Sequence, residues 1–207
     1  MKGKVSKNKF LKVVLPALLV VAIICQAVGF QVVLAKGNVA TTSSDSISNL
    51  TDQQLQALTN PILQSYKADS SHKVWKMTND SRLAVLANQT NIENARLQEV
   101  VKLVNSEFVE KEIISSPLAM VYAQEKDVSY GDILIDIDQT SSITSSSNSK
   151  EAYKITIGEN GVRLTGASEN AIMHGLRTIQ NLIITNDGLV YGEIVDYPNV
   201  AERRVHV

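Results

Sequence analysis

A helical stripe of hydrophobic positions runs through the middle of the chain. Its members recur at intervals of three and four residues, as they do on one face of an amphipathic helix. Thr90 and Glu93, just before the stripe, have the spacing of a capping box. The pattern predicts a helix whose buried positions are Leu97, Val100, Val101, Val104 and Phe108.

A second stripe of the same kind lies near the C-terminal end. Ser168 is a good N-cap residue, and Glu169 stands in the first turn, where an acid is favourable. We predict a helix from this cap through Ile183. His174 lies off the apolar stripe, and we expect it to pack or hydrogen-bond rather than to bind a metal. The predicted buried positions are Ala171, Ile172, Leu176, Ile179, Leu182 and Ile183.

The segment 50–68 also has hydrophobic residues at roughly helical spacing. Thr51 and Gln54 form a capping-box pattern at its start. Pro61 would kink or break a helix there. We expect a helical segment, divided into two short pieces if the proline interrupts it.

Alternation of period two marks the strands. Residues 133–137 alternate isoleucine with other residues, and Asn160-Gly161 separates two alternating runs as a hairpin turn does. Further strands are predicted at 73–78 and 82–88, as a pair, and from Leu189 to Ile194. Together these elements predict an α+β fold, with two amphipathic helices on one face of a small mixed or antiparallel sheet.

Trp75 and three aspartates next to the strand at 133–137 are the candidate functional residues of the predicted α+β fold. Trp75 is the only tryptophan, and we interpret it as a core residue, with a sugar-stacking platform as the alternative. Asp132, Asp136 and Asp138 share one side of the strand at 133–137. A cation site is conceivable there, but no second ligand cluster lies nearby in sequence. We therefore expect a solvated strand face and no metal or other cofactor.

The N-terminus has the pattern of an export signal. Five lysines within the first twelve residues precede an uncharged, apolar run over 13–35. Cleavage after Ala35 fits the small residue there. The run is also long enough to span a bilayer, so an uncleaved membrane anchor stays open. We predict a secreted or cell-surface protein, with a membrane partner only if the segment is retained.

The net charge argues against a nucleic-acid partner, and the cysteine content excludes stabilisation by disulfides or by a cysteine-bound zinc ion. Without the first 35 residues the chain has 15 basic and 21 acidic residues, a net charge of −6. A mildly acidic body argues against binding nucleic acid. Cys25 is the only cysteine and lies in the apolar N-terminal run. The remaining chain therefore has no disulfide framework and no cysteine-based zinc site.

Several short motifs occur together from residue 131 onward. Their order and spacing resemble the end of the N-terminal domain of bacterial family 20 glycoside hydrolases, the β-N-acetylhexosaminidases and lacto-N-biosidases. In that family a Gly-Asp strand leads to a Tyr-x-Ile strand, a Gly-Val return strand and a helix containing Gly-Leu-x-Thr. An Asp-Tyr-Pro sequence then leads into a catalytic barrel. The matching residues here are 131–133, 151–157, 161–162, 167–179 and 196–198.

The resemblance implies a division of the chain. Residues 1–35 would be the signal or anchor, and 36–71 a linker with a short helical segment. The N-terminal α+β domain would occupy 72–196, and 197–207 would begin a TIM barrel. In this family the chemistry belongs to the barrel, where an Asp-Glu pair assists attack by the substrate's own acetamide.

The resemblance assigns no catalytic residue to this chain and one substrate-binding residue. Arg203 matches the arginine that binds sugar hydroxyls at the first barrel strand, provided that a barrel follows. The predicted function is thus the non-catalytic N-terminal domain of a secreted family 20 hydrolase that acts on glycans containing N-acetylhexosamine. The alternative is a free-standing exported or membrane-tethered module that binds glycans or another protein.

Overall fold

The computed structural model describes residues 47–138, Ile143 and residues 150–197. The predicted signal or anchor at 1–35 and the residue Arg203 lie outside these ranges. The signal or anchor and the sugar-binding role of Arg203 therefore stay predictions.

A mixed sheet of seven strands organises this part of the chain. Its strand order is β1-β9-β6-β7-β5-β3-β4, and β2 and β8 form a separate two-stranded antiparallel sheet. The bounds are β1 Ser65–Ala68, β2 Val74–Trp75, β3 Arg82–Leu86, β4 Ala119–Ala123, β5 Ile133–Ile137, β6 Tyr153–Gly158, β7 Gly161–Gly166, β8 Leu189–Val190 and β9 Gly192–Asp196.

The sheet has a parallel half and an antiparallel half. Strands β4, β3, β5 and β7 run parallel to one another. Strand β6 is antiparallel to both β7 and β9, and β9 is antiparallel to β1. The mixed α+β class predicted from the pattern is therefore confirmed.

Four α-helices are described, of which two are long. They are α1 Asp52–Gln56, α2 Gln89–Ile92, α3 Ala95–Glu110 and α4 Glu169–Asn186, and a 3-10 turn spans Glu125–Asp127. Helices α3 and α4 pack against each other, and their buried residues share one apolar core with one face of the sheet. We call this side the helix face. Both predicted hydrophobic stripes are buried there, except that Ile183 is only partly buried.

The caps of the helices are partly as predicted. Ser168 Oγ accepts from the amide of Ala171 at 3.3 Å, which confirms the cap of α4. The predicted capping box of Thr90 and Glu93 is wrong, because α3 begins one turn later, where Asn94 Oδ1 accepts from the Leu97 amide at 2.9 Å. The short helix α2 precedes it and is capped by Asn88.

The expectation of a helical segment over 50–68 is wrong in its second half. The capping box at Thr51 is present and starts α1, but Ser65–Ala68 form strand β1. Pairing with β9 decides this, since it places the aromatic ring of Tyr66 in the core with no exposed surface. The large sheet therefore starts before residue 72.

Two expectations about strand pairing are also wrong. Strands β2 and β3 do not pair with each other, because β2 pairs with β8 while β3 lies between β4 and β5. The predicted last strand divides into β8 and β9, which belong to different sheets. Strand β4 was not predicted at all. The hairpin of β6 and β7 around Asn160-Gly161 is confirmed.

Candidate functional site

Trp75 belongs to the core. Its side chain has no exposed surface, and its indole Nε1 donates to the carbonyl oxygen of Tyr130 at 2.6 Å. A sugar-stacking platform needs an accessible ring, so the core interpretation is confirmed. His174 is half-buried on α4 and has an interaction partner within the protein.

The sheet side opposite the helices, here called the charged face, carries the predicted aspartates. Asp132 precedes β5 and is held by Arg82 of β3: Nε–Oδ1 is 2.9 Å and Nη2–Oδ2 is 2.5 Å. The amide of Ser129 donates to the same carboxylate at 2.7 Å. Burial by itself raises the pKa of Asp132, but these donors outweigh it and hold the pKa below its ordinary value of 3.8. Asp132 is therefore an ionised structural anchor.

Asp136 lies in β5 at the carboxyl end of the parallel strands. Its Oδ1 accepts from the amide groups of Asn91 at 3.1 Å and Asn88 at 3.3 Å, and Arg163 Nη2 lies 3.2 Å from Oδ2. Arg163 also bridges to Glu125. Asn91 has no exposed surface and accepts in turn from the amide of Ile137 at 3.2 Å. The Asp136 carboxylate thus connects β5 to the segment 88–91 and to β7. Its buried oxygens have hydrogen-bond partners, as buried polar groups in folded proteins usually do.

Tyr153, the tyrosine of the Tyr-x-Ile motif, holds the end of the domain. Its hydroxyl lies 2.6 Å from Thr178 Oγ1 in α4 and donates to Asp196 Oδ2 at 2.9 Å. Burial and the neighbouring charge of Asp196 raise the pKa of Tyr153 well above its ordinary value of 10.0. Asp196 Oδ1 also accepts from the Gln64 amide at 3.3 Å. The Asp of the Asp-Tyr-Pro motif thus ties β9 to a helix and to the segment before β1.

Two motif glycines are required by close approaches. A Cβ on Gly175 of α4 would lie 2.3 Å from Leu164 Cδ1, so its absence lets the helix lie directly on the sheet. Gly161 has a φ of 92°, and a Cβ there would lie 2.6 Å from the carbonyl oxygen of Asp132. Both roles are in packing.

A shallow hollow of about 380 Å³ lies after the C-terminal end of α3. Its polar lining is used internally, because Asn79 Oδ1 accepts from the amide and the hydroxyl of Ser115 at 3.3 and 3.2 Å. It contains one carboxylate and none of the aspartates discussed above. Its lining residues are Asn79, Val109, Glu112, Ile113, Ile114 and Ser115.

The two aspartates Asp132 and Asp136 thus do not form a shared site. Asp132 and Asp136 each face a different arginine, and the described residues bring no three His, Cys, Asp or Glu side chains together as a metal site. Within residues 47–138 and 150–197, none of the helices has the length and hydrophobicity to cross a bilayer.

These features define the class of protein domain. It is an α+β domain in which the motif residues pack the helices on the sheet and connect neighbouring elements. Residues 59–197 match the model of domain 2 of glycosyl hydrolase family 20. The match covers well over half of the chain, and the chain therefore belongs to glycosyl hydrolase family 20. No protein with a curated description matches it in sequence.

Solved structures share the fold at low identity. The chitobiase of Flavobacterium johnsoniae is 15% identical, with a TM-score of 0.52 over 72% of this chain and 22% of that one. The N-acetyl-β-hexosaminidase of Streptomyces plicatus, solved in complex with Thio-NAglucal, is 14% identical, with a TM-score of 0.52 over 73% of this chain and 28% of that one. The chain spans about a quarter of the length of these enzymes. The described residues contain no catalytic barrel.

Proposed function

We propose that this chain is the N-terminal part of an exported β-N-acetylhexosaminidase-like enzyme. In the full-length enzyme, a barrel would remove terminal N-acetylhexosamine from glycans, and the present domain would be its scaffold. The observation that carries the proposal is the family 20 domain 2 match over residues 59–197. The structural roles of Asp132 and Asp136 agree with it, because both carboxylates are engaged within the domain.

Arg203 would contribute to the sugar site of such a barrel. A guanidinium has several fixed N–H donors, which suits pairs of neighbouring sugar hydroxyls. Export is supported by the five lysines and the uncharged run that follows them. The enzyme would then act outside the cell or at its surface.

The DNA that follows the codon of Val207 tests this proposal. We expect it to encode a TIM barrel with an adjacent Asp-Glu pair, in frame or separated by a stop or frameshift. Unrelated downstream sequence would contradict the proposal and favour a free-standing binding module. Mass spectrometry of the mature N-terminus tests export separately, and a start at Lys36 is the expected result.

A further inference from the structure

The tip of the β6–β7 hairpin carries the one Asn-Gly dipeptide of the chain, Asn160-Gly161. Asn160 is exposed, and so is Glu159 beside it. A Cβ on the preceding Gly158 would meet no atom within 4 Å, so the tip lies in open space. The Asn160 side chain forms no hydrogen bond to any described residue. Its amide group is therefore free to rotate and is accessible to water.

An asparagine followed by glycine can react with its own backbone. The backbone nitrogen of Gly161 attacks the side-chain carbon Cγ of Asn160, and the new C–N bond closes a five-membered imide ring. The Cγ–Nδ2 bond breaks, and ammonia leaves with the proton that the Gly161 nitrogen gives up. Glycine favours this step because no Cβ shields its nitrogen and because its backbone rotates easily. Water then adds to either carbonyl carbon of the ring and opens it.

The two ways of opening the ring give different products. Cleavage of the bond between Cγ and the ring nitrogen leaves aspartate and an unchanged backbone. Cleavage of the bond between the main-chain carbonyl carbon and that nitrogen leaves isoaspartate, whose backbone runs through Cβ and Cγ and is one atom longer. Each product replaces a neutral amide by a carboxylate, with no oxidation or reduction.

A second asparagine that precedes a small residue has the opposite environment. Asn105 lies in α3 before Ser106, is 7% exposed, and binds both backbone groups of Leu118 at 2.9 and 2.8 Å. The amide nitrogen of Ser106 is inside a helix, where such groups donate to the carbonyl oxygen four residues earlier. Ring closure at Asn105 would first have to break these bonds, whereas no side-chain bond holds Asn160 among the described residues.

We propose that Asn160 is a site of spontaneous covalent modification, at which loss of the side-chain amide leaves aspartate and isoaspartate at the tip of the hairpin. The reaction needs water and neither an enzyme nor a cofactor. It does not depend on the proposed barrel or on export, because every group that takes part lies in this hairpin.

The isoaspartate form does not fit the hairpin. Gly158 and Gly161 face each other as the last pair of β6 and β7. Gly161 is also enclosed, since a Cβ there would lie 2.9 Å and 2.6 Å from the carbonyl oxygens of Ser129 and Asp132. The Val162 amide donates to the same Asp132 oxygen at 3.0 Å. An extra backbone atom must therefore disturb either the pairing or this contact, whereas the aspartate form keeps both.

The rates of amide loss at the two asparagines test the site. The full chain is incubated at mildly alkaline pH, both folded and in guanidinium chloride, and its peptides are mapped by mass spectrometry. The Asn160 peptide should gain about 1 Da, and folding should slow this gain by less than about tenfold, as expected for an exposed turn. Folding should slow the Asn105 peptide more than about a hundredfold, because the helix must first open locally. Equal slowing at both sites would overturn the proposal.

Two variants separate the products. Asn160→Gln keeps an amide but would need a six-membered ring, so it should stay unmodified and keep its melting temperature under the same incubation. Asn160→Asp is the aspartate product itself, and when fresh it should melt with the unmodified chain. The incubated unmodified chain should melt a few degrees lower, in proportion to its isoaspartate, which labelling by an isoaspartyl methyltransferase measures. An isoaspartate-rich chain that melts with the fresh protein would contradict the effect on the hairpin.

Discussion

The two faces of the sheet hold the domain together in different ways. On the helix face, large side chains from α3, α4 and the strands form one continuous apolar core. On the charged face, the apolar cluster is small, built around Ala84, Ala123 and Leu134, and ion pairs surround it. Burial of hydrophobic surface acts without direction, whereas each ion pair joins particular strands. The first face therefore accounts for most of the stability, and the second fixes which strands lie together.

Removal of a large core side chain should have the largest effect. We expect Trp75→Ala to lower the free energy of unfolding by about 3–5 kcal/mol, because it leaves a cavity and removes the bond to the Tyr130 carbonyl. Urea unfolding followed by circular dichroism measures this. Ile184→Ala, at a position 53% exposed on α4, is the control and should change little. Equal effects for the two variants would show that Trp75 is not part of the core.

The helix face was also the more predictable of the two. The stripes of α3 and α4 and the hairpin at Gly161 each follow from residues close together in sequence. Strand β4 escaped prediction because Ala-Met-Val-Tyr-Ala does not alternate, and its register is set by β3. Strand β1 was mistaken for helix for a similar reason, since its pairing with β9 depends on residues about 130 positions away.

The charged face could not be predicted from single residues. The spacing of Asp132, Asp136 and Asp138 placed them on one side of a strand, but the partners of Asp132 and Asp136 lie far away in sequence. Arg82 is 50 positions from Asp132, and Asn91 is 45 from Asp136. Only the parallel pairing of β3, β5 and β7 brings these groups together. The expected solvated strand face is therefore wrong for Asp132 and Asp136, because both are buried and are held by arginine and amide groups.

An intermediate effect is expected from the buried ion pair. Asp132→Asn keeps the shape of the side chain but removes its charge, and should cost about 2 kcal/mol at pH 7, the range for hydrogen bonds to charged groups. Because the folded-state pKa of Asp132 is lowered, its contribution is complete above the unfolded value of about 3.9 and is lost as the pH falls through the folded value. The difference between the two proteins should therefore shrink below about pH 4. A difference that does not depend on pH would contradict the role of the charge.

The smallest effect should come from an exposed pair on the same face. Lys154 Nζ lies 3.0 Å from Glu193 Oε2, and the two side chains are 41% and 45% exposed. Glu193→Gln should change the free energy of unfolding by no more than about 0.5 kcal/mol, because water and salt screen the pair. This variant is also the matched control for Asp132→Asn. A loss as large as that of Asp132→Asn would mean that burial does not distinguish the pairs.

The central claim is that the carboxylates of this domain hold the fold and perform no hydrolysis. Its most direct test is the release of nitrophenol from an aryl N-acetylglucosaminide by the purified chain, compared with its Asp132→Asn and Asp136→Asn variants. The account predicts no release above the buffer rate for all three proteins, with stability lowered in the two variants. Steady turnover by the chain that either substitution abolishes, while the variant remains folded, would contradict it.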